Sequence, residues 1–342
     1  MRWDNLAVGA DRTEINGVMP LPGLPGRSEQ ITFDTPEFRG ITFFELYARS
    51  ILNEVPGESS MSFRWTINPY RGCSHACVYC FARNSHTYLD MDAGADFDSK
   101  IVVKVNAAQL LAKELAAPSW HGEPIAMGTN VDPYQRAEGK YRLMRGLLDV
   151  LIEHRNPFSI LTKGTLILRD VDLLEQAAEH VPVRVAVSVG TVDPTVWRSC
   201  EPGTPSPKAR LGVCRTLADR GIGCSVLMAP VLPYISDSDE QLEATVAAVA
   251  AAGASSITPL ALHLRPGARE WYFRWLRATH PTLVPRYERL YSRGAYVPRG
   301  YSERLTRTVD RLARRYGLRE PAVATSVMNE NSKRDNKFHQ RF

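Results

Sequence analysis

Residues 71–81 read RGCSHACVYCF and bring three cysteines close together in the chain, at Cys73, Cys77 and Cys80. Gaps of three and two residues let a short loop turn all three sulfur atoms toward one region. A structural zinc site uses four ligands, and no fourth cysteine or suitably spaced pair of histidines follows nearby. A four-iron cluster suits three thiolates better, because its remaining iron stays open to a small molecule. The motif therefore predicts an iron–sulfur cluster with one open position.

The length and composition indicate a globular chain without membrane or secretory signals. Its 342 residues, of which 44% are hydrophobic, suffice for one large domain with short extensions or for two domains. No run approaches about 18 consecutive apolar residues, and the opening MRWDNLAVGADRTE lacks a basic segment followed by an apolar core. Six cysteines are too few for a disulfide scaffold. We therefore expect a cytoplasmic protein.

A rhythm of strands and helices follows the cysteine motif and predicts the fold. Strand candidates lie at Pro124–Met127, Phe158–Leu161, Arg184–Val189, Cys224–Ala229 and Ser256–Leu260. Helix candidates lie between them at Lys140–His154, Val171–Glu179, Pro207–Arg220 and Asp237–Ala252. With a strand inside Met61–Asn68, these segments predict about six parallel strands, too few for a closed barrel of eight. The predicted fold class is α/β, a partial (β/α)6 barrel with its chemistry at the carboxyl ends of the strands.

The segments outside this core differ from it in composition. Residues 1–58 are expected to form an irregular N-terminal arm, which contains GVMPLPGLPG, and then a short helix at Ile41–Asn53. Residues 59–264 form the expected core. Residues 265–325 indicate a basic helical extension without strands, and the polar residues 326–342 indicate a disordered tail.

The segment NPYRGCSHACVYCFAR, residues 68–83, resembles the radical S-adenosylmethionine (SAM) superfamily and, more narrowly, the proteins similar to spore photoproduct lyase. This resemblance implies that Cys73, Cys77 and Cys80 bind a 4Fe–4S cluster, whose open iron binds S-adenosyl-L-methionine. It also implies reductive cleavage of SAM to methionine and a 5′-deoxyadenosyl radical, which abstracts hydrogen from a substrate. Most members of this group have no assigned substrate. An electron donor such as flavodoxin or ferredoxin is the implied partner.

The resemblance also places three residues of the first half of the core at the cofactor. Tyr79 corresponds to an aromatic residue that packs on the adenine of SAM. Thr129 and Asp132 belong to the segment GTNVDPYQ, which follows the second predicted barrel strand and lines the SAM and substrate pocket in the resembled group. Simple loop packing is the alternative role for Tyr79, and a helix turn without a ligand is the alternative for the GTNVDPYQ segment.

Three later residues complete the implied cofactor site. Lys163, in the segment TKG, matches a lysine that contacts the SAM carboxylate, and Ser188 matches a serine that approaches SAM. Glu201, in EPGTPSPKARL, is a candidate ligand of the SAM ribose or of the substrate. A solvated lysine, a hydrogen-bonded core serine and a purely structural turn are the corresponding alternatives.

Two departures from the resembled lyases limit what can be inferred about the substrate. Those lyases have tyrosines on both sides of the last cysteine, whereas the second position is Phe81 here and has no phenolic hydrogen to donate. They also use a cysteine near the end of the second barrel strand as a hydrogen donor, and no cysteine lies between Cys80 and Cys200 here. Cys200 could be a hydrogen donor or a redox thiol, or an ordinary buried cysteine.

The chain also contains a strongly basic stretch near its C-terminus. Residues Arg265–Arg319 hold fourteen arginines, interleaved with tryptophan, tyrosine and phenylalanine. Arginines and aromatic residues together are typical of nucleic-acid surfaces, where they contact phosphates and stack on bases. Amphipathic helices with aromatic residues turned inward and arginines outward would give the same composition. Both interpretations remain open from the sequence.

Three classes of function follow from these patterns. The first is a radical SAM enzyme that abstracts hydrogen from an unknown substrate, with nucleic acid as one candidate. The second is a nucleic-acid-binding protein with a structural metal site, which would use the basic stretch without SAM chemistry. In the third, SAM serves as a methyl or sulfur-transfer cofactor, although the absence of a second cysteine cluster counts against sulfur insertion.

Overall fold

A computed structural model describes residues 12–19, 28–33, 35–55 and 63–319. Within those ranges the strands are β1 (Arg12–Met19), β2 (Ser28–Phe33), β3 (Thr42–Leu46), β4 (Leu52–Glu54), β5 (Trp65–Ile67), β6 (Tyr70–Arg71), β7 (Lys100–Lys104), β8 (Ile125–Met127), β9 (Phe158–Thr162), β10 (Val183–Ser188), β11 (Cys224–Val231) and β12 (Ile257–Ala261). The α-helices of the same ranges are α1 (Ala95–Ser99), α2 (Ala107–Leu115), α3 (Arg136–Tyr141), α4 (Leu143–Glu153), α5 (Val171–Ala178), α6 (Pro194–Cys200), α7 (Pro207–Asp219), α8 (Asp239–Ala251), α9 (Ala268–Thr279), α10 (Val284–Leu290) and α11 (Arg299–Arg315). Short 3-10 helices occupy Pro36–Phe38, Phe81–Leu89, Thr165–Asp170 and Pro281–Leu283. None of the helices in the described ranges is long and apolar enough to cross a membrane.

The main sheet is a partial barrel of parallel strands. Six strands follow one another in the order β5, β8, β9, β10, β11, β12, each parallel to the next. The antiparallel strand β4 extends the sheet beside β5, and no pairing closes β4 onto β12 among the described residues. The predicted (β/α)6 partial barrel is therefore confirmed. The strand and helix candidates after residue 120 are all present, with ends that shift by no more than three residues.

Caps supplied by the sequence fix where three barrel helices begin. The Asp193 side chain accepts hydrogen bonds from two backbone N–H groups of α6, while Ser206 and Ser238 each accept one at the start of α7 and α8. Pro194 and Pro207 occupy the first turn of their helices, where a missing N–H costs nothing. These caps make each helix start soon after a strand end, so the loops at the barrel mouth stay short and well defined.

The N-terminal region forms a second sheet of five strands, in the order β1, β2, β3, β7, β6. The predicted arm and the predicted helix at Ile41–Asn53 are therefore wrong over the described residues, because this part of the chain forms strands. Phe43 and Phe44 are buried in apolar groups on opposite faces of the sheet. A strand with two buried faces lacks polar–apolar alternation, and its continuous apolar run resembles a helix in sequence. The rest of the predicted arm and the tail at 326–342 lie outside the described residues.

The C-terminal helices pack on the barrel and bury their aromatic residues. The described part of the expected helical extension, residues 265–319, forms α9, α10 and α11, and α11 packs against β12 and α8. Tyr272, Tyr287, Tyr291 and Tyr301 are buried, whereas most arginines of these helices are exposed. This arrangement is that of amphipathic helices with inward aromatic side chains. These four tyrosines and the buried Phe273 are therefore not exposed for stacking on bases.

Candidate functional site

The cysteine loop follows β6, close to the carboxyl end of the first parallel strand of the barrel. Cys73 and Cys77 are buried, Cys80 is half-buried, and all three thiols are free. Gly72 and Ala76 have positive φ angles of 79° and 53°, which turn the backbone sharply on both sides of Cys73. Two turns fold the loop back on itself, because the Ala76 N–H donates to the Cys73 carbonyl at 3.1 Å and the Cys80 N–H donates to the Cys77 carbonyl at 3.2 Å.

Residues far away in the chain hold the backbone of this loop. The buried Gln135 side chain accepts a hydrogen bond from the Ser74 N–H and donates one to the Gly72 carbonyl, both at 2.9 Å. The Gly203 N–H donates to the His75 carbonyl at 3.0 Å. The Val78 N–H donates to the carbonyl of Cys200, also at 3.0 Å. These bonds fix the backbone of the loop from outside it.

A fully buried arginine braces the loop from its other side. The Arg83 guanidinium donates to the Cys77 carbonyl at 2.9 Å, to the Gly94 carbonyl at 2.8 Å and to both carboxylate oxygens of Asp98. The ring of Trp271 lies over the same guanidinium at 4.8 Å. Burial raises the pKa of Asp98 to about 6, although Arg83 opposes the shift. Sequence reasoning gave no role to Arg83 and Gln135, although both end motifs quoted above, because their role depends on burial against the cysteine loop.

The chemistry of the three thiols fits an iron–sulfur cluster. Burial raises the pKa of each thiol, that of Cys77 to about 12, where Lys163 opposes the shift. Such thiols give up their protons when a metal takes the proton's place. In the part of the chain that the structure describes, no three His, Cys, Asp or Glu side chains surround a single-ion site. Three thiolates can each bind one iron of a four-iron cluster, whereas a structural zinc site needs a fourth ligand.

Asp132 joins three segments of the barrel mouth. One carboxylate oxygen accepts the Thr162 hydroxyl at 2.5 Å and the Tyr134 N–H at 2.9 Å. The other oxygen accepts the Lys163 N–H at 2.6 Å and lies 3.4 Å from His75 Nδ1. Burial alone would raise the pKa of Asp132, but His75 and the hydrogen-bond donors lower that pKa to about 2. The ionised carboxylate therefore fastens the loop after β8 to the end of β9 and to the cysteine loop.

Lys163 brings a positive charge to the mouth of the barrel. Its ammonium donates to the Ser188 hydroxyl at 2.9 Å, and that hydroxyl donates to the Ala229 carbonyl at 2.8 Å. The ammonium also lies 5.8 Å from the centroid of the Tyr79 ring. A lysine has three N–H donors, and only one is used here within the described structure. The remaining donors are available to an anionic group.

Glu201 lies in a buried network that also contains Tyr79. One of its oxygens accepts the Tyr79 hydroxyl, and the other pairs with Arg210, which also donates to the Ser188 carbonyl at 2.7 Å. Burial tends to raise the pKa of Glu201, but Arg210 and Lys163 lower it below its usual value. Burial and Glu201 raise the pKa of Tyr79, so its hydroxyl remains a hydrogen-bond donor. Both oxygens of Glu201 thus serve contacts within the protein.

The structure connects five of the six residues that the resemblance implied for the cofactor. Tyr79, Asp132, Lys163, Ser188 and Glu201 form a chain of hydrogen bonds and one ring contact. The sixth residue, Thr129, lies half-buried directly after Gly128 in the same loop as Asp132.

A glycine sets the path of that loop. Gly128 has φ of +84°, and a Cβ atom there would lie 1.8 Å from the Leu161 carbonyl oxygen. Only glycine permits this close approach. The loop after β8 is therefore pressed against the end of β9, which holds Thr129 at the mouth of the barrel.

Aromatic rings line the mouth beside the cysteine loop. The partly exposed Phe81 ring lies 5.6 Å from the His263 ring, which stacks on Tyr296 at 5.7 Å. Arg265 lies over Phe81 at 5.9 Å and donates to the Tyr296 hydroxyl at 2.8 Å. Cys200, in contrast, is buried in the main core together with Cys77.

Comparison with known proteins places the chain in a family. A family model described as Radical SAM superfamily matches residues 67–246. The chain belongs to the radical SAM superfamily and is a radical SAM enzyme. An uncharacterized protein of Mycobacterium tuberculosis is 48% identical over 318 residues, which is 93% of each chain. An uncharacterized protein of Methanocaldococcus jannaschii is 28% identical over 199 residues, 58% of this chain and 70% of that protein.

Solved structures of spore photoproduct lyase share the fold. The lyase complexed with dinucleoside spore photoproduct gives a TM-score of 0.60 at 18% identity, over 80% of this chain and 79% of that chain. A variant of that lyase with bound AdoMet and dinucleoside spore photoproduct gives a TM-score of 0.62 at 17% identity, over 89% and 86%. The similarity spans both the barrel and much of the surrounding chain.

Proposed function

We propose that this enzyme binds a 4Fe–4S cluster through Cys73, Cys77 and Cys80 and cleaves S-adenosyl-L-methionine reductively. A braced loop of three free thiols beside the Lys163–Ser188 pair carries this proposal. When bound, the cluster supplies one electron to the sulfonium of SAM, which yields methionine and a 5′-deoxyadenosyl radical able to take hydrogen from a substrate.

The loops that end β8 and β9 bind and orient the cofactor in this proposal. Lys163 offers its unused N–H donors to the SAM carboxylate, and Ser188 fixes the direction of the ammonium group. Thr129 lines the pocket directly. Asp132 acts as a positioning residue, because its oxygens already hold Thr162 and the Lys163 backbone.

The buried network around Glu201 supports the adenine end of the pocket. Tyr79 presents its ring beside Lys163 while its hydroxyl is held by Glu201. Arg210 compensates the carboxylate, so the three side chains can remain buried together. Glu201 therefore orients Tyr79, and any contact of Glu201 with the SAM ribose would have to share an oxygen that already accepts a hydrogen bond.

Anaerobic reconstitution with iron and sulfide tests the proposal. The purified protein should bind about four irons with matching sulfide and release methionine and 5′-deoxyadenosine when SAM and dithionite are added. Cys77→Ala should lose both the cluster and the cleavage. Cys214→Ala, which removes a buried thiol outside the loop, is the control and should retain both. Unchanged cleavage by Cys77→Ala would refute the ligand assignment.

The rival function predicts a different metal content. A nucleic-acid-binding protein with a structural metal site should contain about one zinc and no sulfide, and its folding should depend on metal but not on SAM. The arginines between Arg265 and Arg319 are the candidate phosphate contacts for such a protein, since most of them are exposed.

Nucleic acid is also the substrate that we propose to test first for the enzyme. The similar lyase structures contain a dinucleoside ligand, and the exposed ring of Phe81 with Arg265 nearby suits a base and a phosphate. The resembled lyases return a hydrogen atom to the product radical through a tyrosine and a cysteine. That route is not proposed here, because Phe81 lacks a hydroxyl and no cysteine lies between Cys80 and Cys200. Deuterium moved from a labelled oligonucleotide into 5′-deoxyadenosine would identify the substrate class, and its absence with every nucleic acid tried would exclude it.

The proposed reaction needs a one-electron donor. Flavodoxin and ferredoxin are the donor types that we propose, and a reducing cytoplasm would keep the cluster intact. Support of SAM cleavage by either reduced protein in place of dithionite would identify the donor type.

A further inference from the structure

Two cationic side chains lie on one face of the five-stranded sheet, at the strand that leads into the cysteine loop. Arg71 of β6 pairs with Val102 of β7 in an antiparallel ladder, and Lys104 follows two residues later on β7. Paired residues, and residues two apart on a strand, project from the same face of a sheet. Arg71 and Lys104 therefore lie on the face that buries Leu46 and Val102, opposite the apolar group that contains Cys73.

No carboxylate within the described ranges forms an ion pair with either cation. Lys104 is only 9% exposed and Arg71 is half-buried, yet neither side chain forms a hydrogen bond or an ion pair with any described residue. Burial and then the charge of Arg71 lower the pKa of Lys104 to about 8. Glu114 opposes this lowering of the pKa of Lys104, while its carboxylate accepts hydrogen bonds from the backbone N–H groups of Ile51 and Leu52.

An uncompensated pair of this kind is costly in a folded protein. Buried charges are normally paired, because an isolated cation loses its hydration when it is buried. Two adjacent cations also repel each other. A bound anion removes both penalties at once, so the electrostatics of this face favour a ligand that carries two negative charges.

We propose that Arg71 and Lys104 form a phosphate-binding site. A phosphate dianion neutralises both side chains, accepts two parallel N–H bonds from the guanidinium fork and accepts a third from the ammonium. The site lies outside the proposed SAM pocket, because its side chains and the apolar group of Cys73 occupy opposite faces of the sheet.

Two exposed tyrosines indicate the kind of molecule that carries the phosphate. Tyr47 is 75% exposed and directly follows Leu46, which pairs with Lys104 in the β3–β7 ladder. Tyr88 is 54% exposed and directly precedes Leu89, which packs with Leu46. Each tyrosine neighbours in sequence a leucine of the apolar group beneath Arg71 and Lys104, and exposed rings can stack on bases. The ligand class is therefore the phosphate group of a nucleotide or of a nucleic-acid backbone.

Calorimetry and thermal unfolding of the reconstituted full-length protein in phosphate-free buffer test the site. Inorganic phosphate should bind the wild type with heat release and raise its Tm. Lys104→Met should weaken phosphate binding about tenfold or more, and its Tm without phosphate should stay equal or rise, since an unpaired buried cation has been removed. Lys100→Met is the matched control on the same strand, because Lys100 is already paired with Asp96 at 3.0 Å; it should bind phosphate like the wild type.

Arg71→Met is the second variant and covers the case in which Lys104→Met does not fold. It should lose phosphate binding to a similar degree. The proposal is overturned if phosphate leaves the wild-type Tm unchanged, or if it raises the Tm of both variants as much as that of the wild type.

Adenosine monophosphate and a short single-stranded oligonucleotide serve as parallel probes. Tighter binding of the nucleotide than of phosphate indicates a free nucleotide, and tighter binding of the oligonucleotide than of the nucleotide indicates a nucleic-acid backbone.

Discussion

At the scale of single residues, Lys163 has the greatest capacity to bind an anionic cofactor group at the barrel mouth. Lys163→Met should keep the iron content of the reconstituted protein and weaken SAM binding about tenfold or more, because a charge-assisted hydrogen bond to the carboxylate is lost. Equilibrium dialysis with labelled SAM measures the change. Lys208→Met, an exposed substitution in α7, should bind SAM like the wild type. Equal affinity in both variants would remove Lys163 from the site.

The free energy of unfolding should depend on pH through His263 at the mouth of the barrel. Burial and then Arg265 lower its pKa from 6.5 to about 4. Unfolded His263 therefore takes up its proton at a higher pH than folded His263, so the folded state loses stability as pH falls from 6.5 toward about 4. We expect a loss of about 1–3 kcal/mol across this window.

Urea unfolding at a series of pH values measures this loss. His263→Gln should flatten the dependence between about pH 6.5 and about pH 5, where carboxylates contribute less. His180→Gln replaces an exposed histidine and should leave the slope as it is in the wild type. A slope that persists in His263→Gln would assign the effect to other groups.

At the scale of elements, the connection between α6 and α7 supports the cysteine loop through a glycine. A Cβ atom on Gly203 would lie 2.1 Å from the Ser74 carbonyl oxygen and 2.9 Å from the His75 Cα, both parts of the backbone. Gly203→Ala should displace the loop, cost about 1–3 kcal/mol of unfolding free energy and lower the iron content after reconstitution. Chemical denaturation and iron analysis measure the two effects.

A second glycine nearby in the chain is the control for that substitution. Gly212 lies in α7, and a Cβ atom there would meet nothing within 4 Å. Gly212→Ala should raise the unfolding free energy by about 0.5–1 kcal/mol, as expected for a helical position, and leave the iron content unchanged. If the two alanine variants behave alike, contact between Gly203 and the cysteine loop does not control cluster binding.

Helices whose apolar residues recur at a regular spacing can be predicted from the sequence. Strands whose burial depends on partners far away in the chain cannot. The helices α5 and α7 follow from periodic apolar residues, and α7 also from Pro207 in its first turn, which are properties of nearby sequence. The strand β3 was mistaken for a helix because its two buried faces are created by partners such as β2 and β7. Gln135 braces Ser74 across 61 positions, and no local pattern marks a contact of that range.

The residues of the cofactor site likewise divide into those that the sequence could assign and those that it could not. Asp132 and Lys163 could be placed at one edge of the sheet because both follow predicted parallel strands. Arg83 and Arg210 could not be assigned, since their importance lies in being buried against Cys77 and Glu201. The sequence thus predicts which segments meet at the mouth, and the structure adds which side chains hold those segments together.

At the scale of the whole molecule, buried tyrosines bind the C-terminal helices to the barrel. The Tyr287 hydroxyl donates to the Pro233 carbonyl at 2.6 Å and accepts from the Tyr272 hydroxyl at 3.0 Å. The Tyr291 hydroxyl donates to the Leu262 carbonyl at 2.7 Å. The helices that follow β12 are thus packed directly against the barrel.

Removal of the Tyr287 hydroxyl measures how much this attachment contributes to the free energy of unfolding. Tyr287→Phe should lower the unfolding free energy by about 1–3 kcal/mol, because Pro233 and Tyr272 each lose a buried hydrogen bond. Tyr316→Phe loses only an exposed bond to Glu243 and should change stability by less than about 0.5 kcal/mol. Urea denaturation followed by circular dichroism gives both values, and equal losses would argue against the attachment.

The braces of the cysteine loop have a consequence for protein engineering. The eleven-residue segment 71–81 is shaped by donors and acceptors at Arg83, Gln135, Cys200 and Gly203. A designer who grafts only the eleven residues onto another scaffold would transfer the ligands without the framework that orients them. The transplantable unit is the segment together with its four outside supports, and a redesign of the catalyst should hold those supports constant while it varies the rim of the barrel.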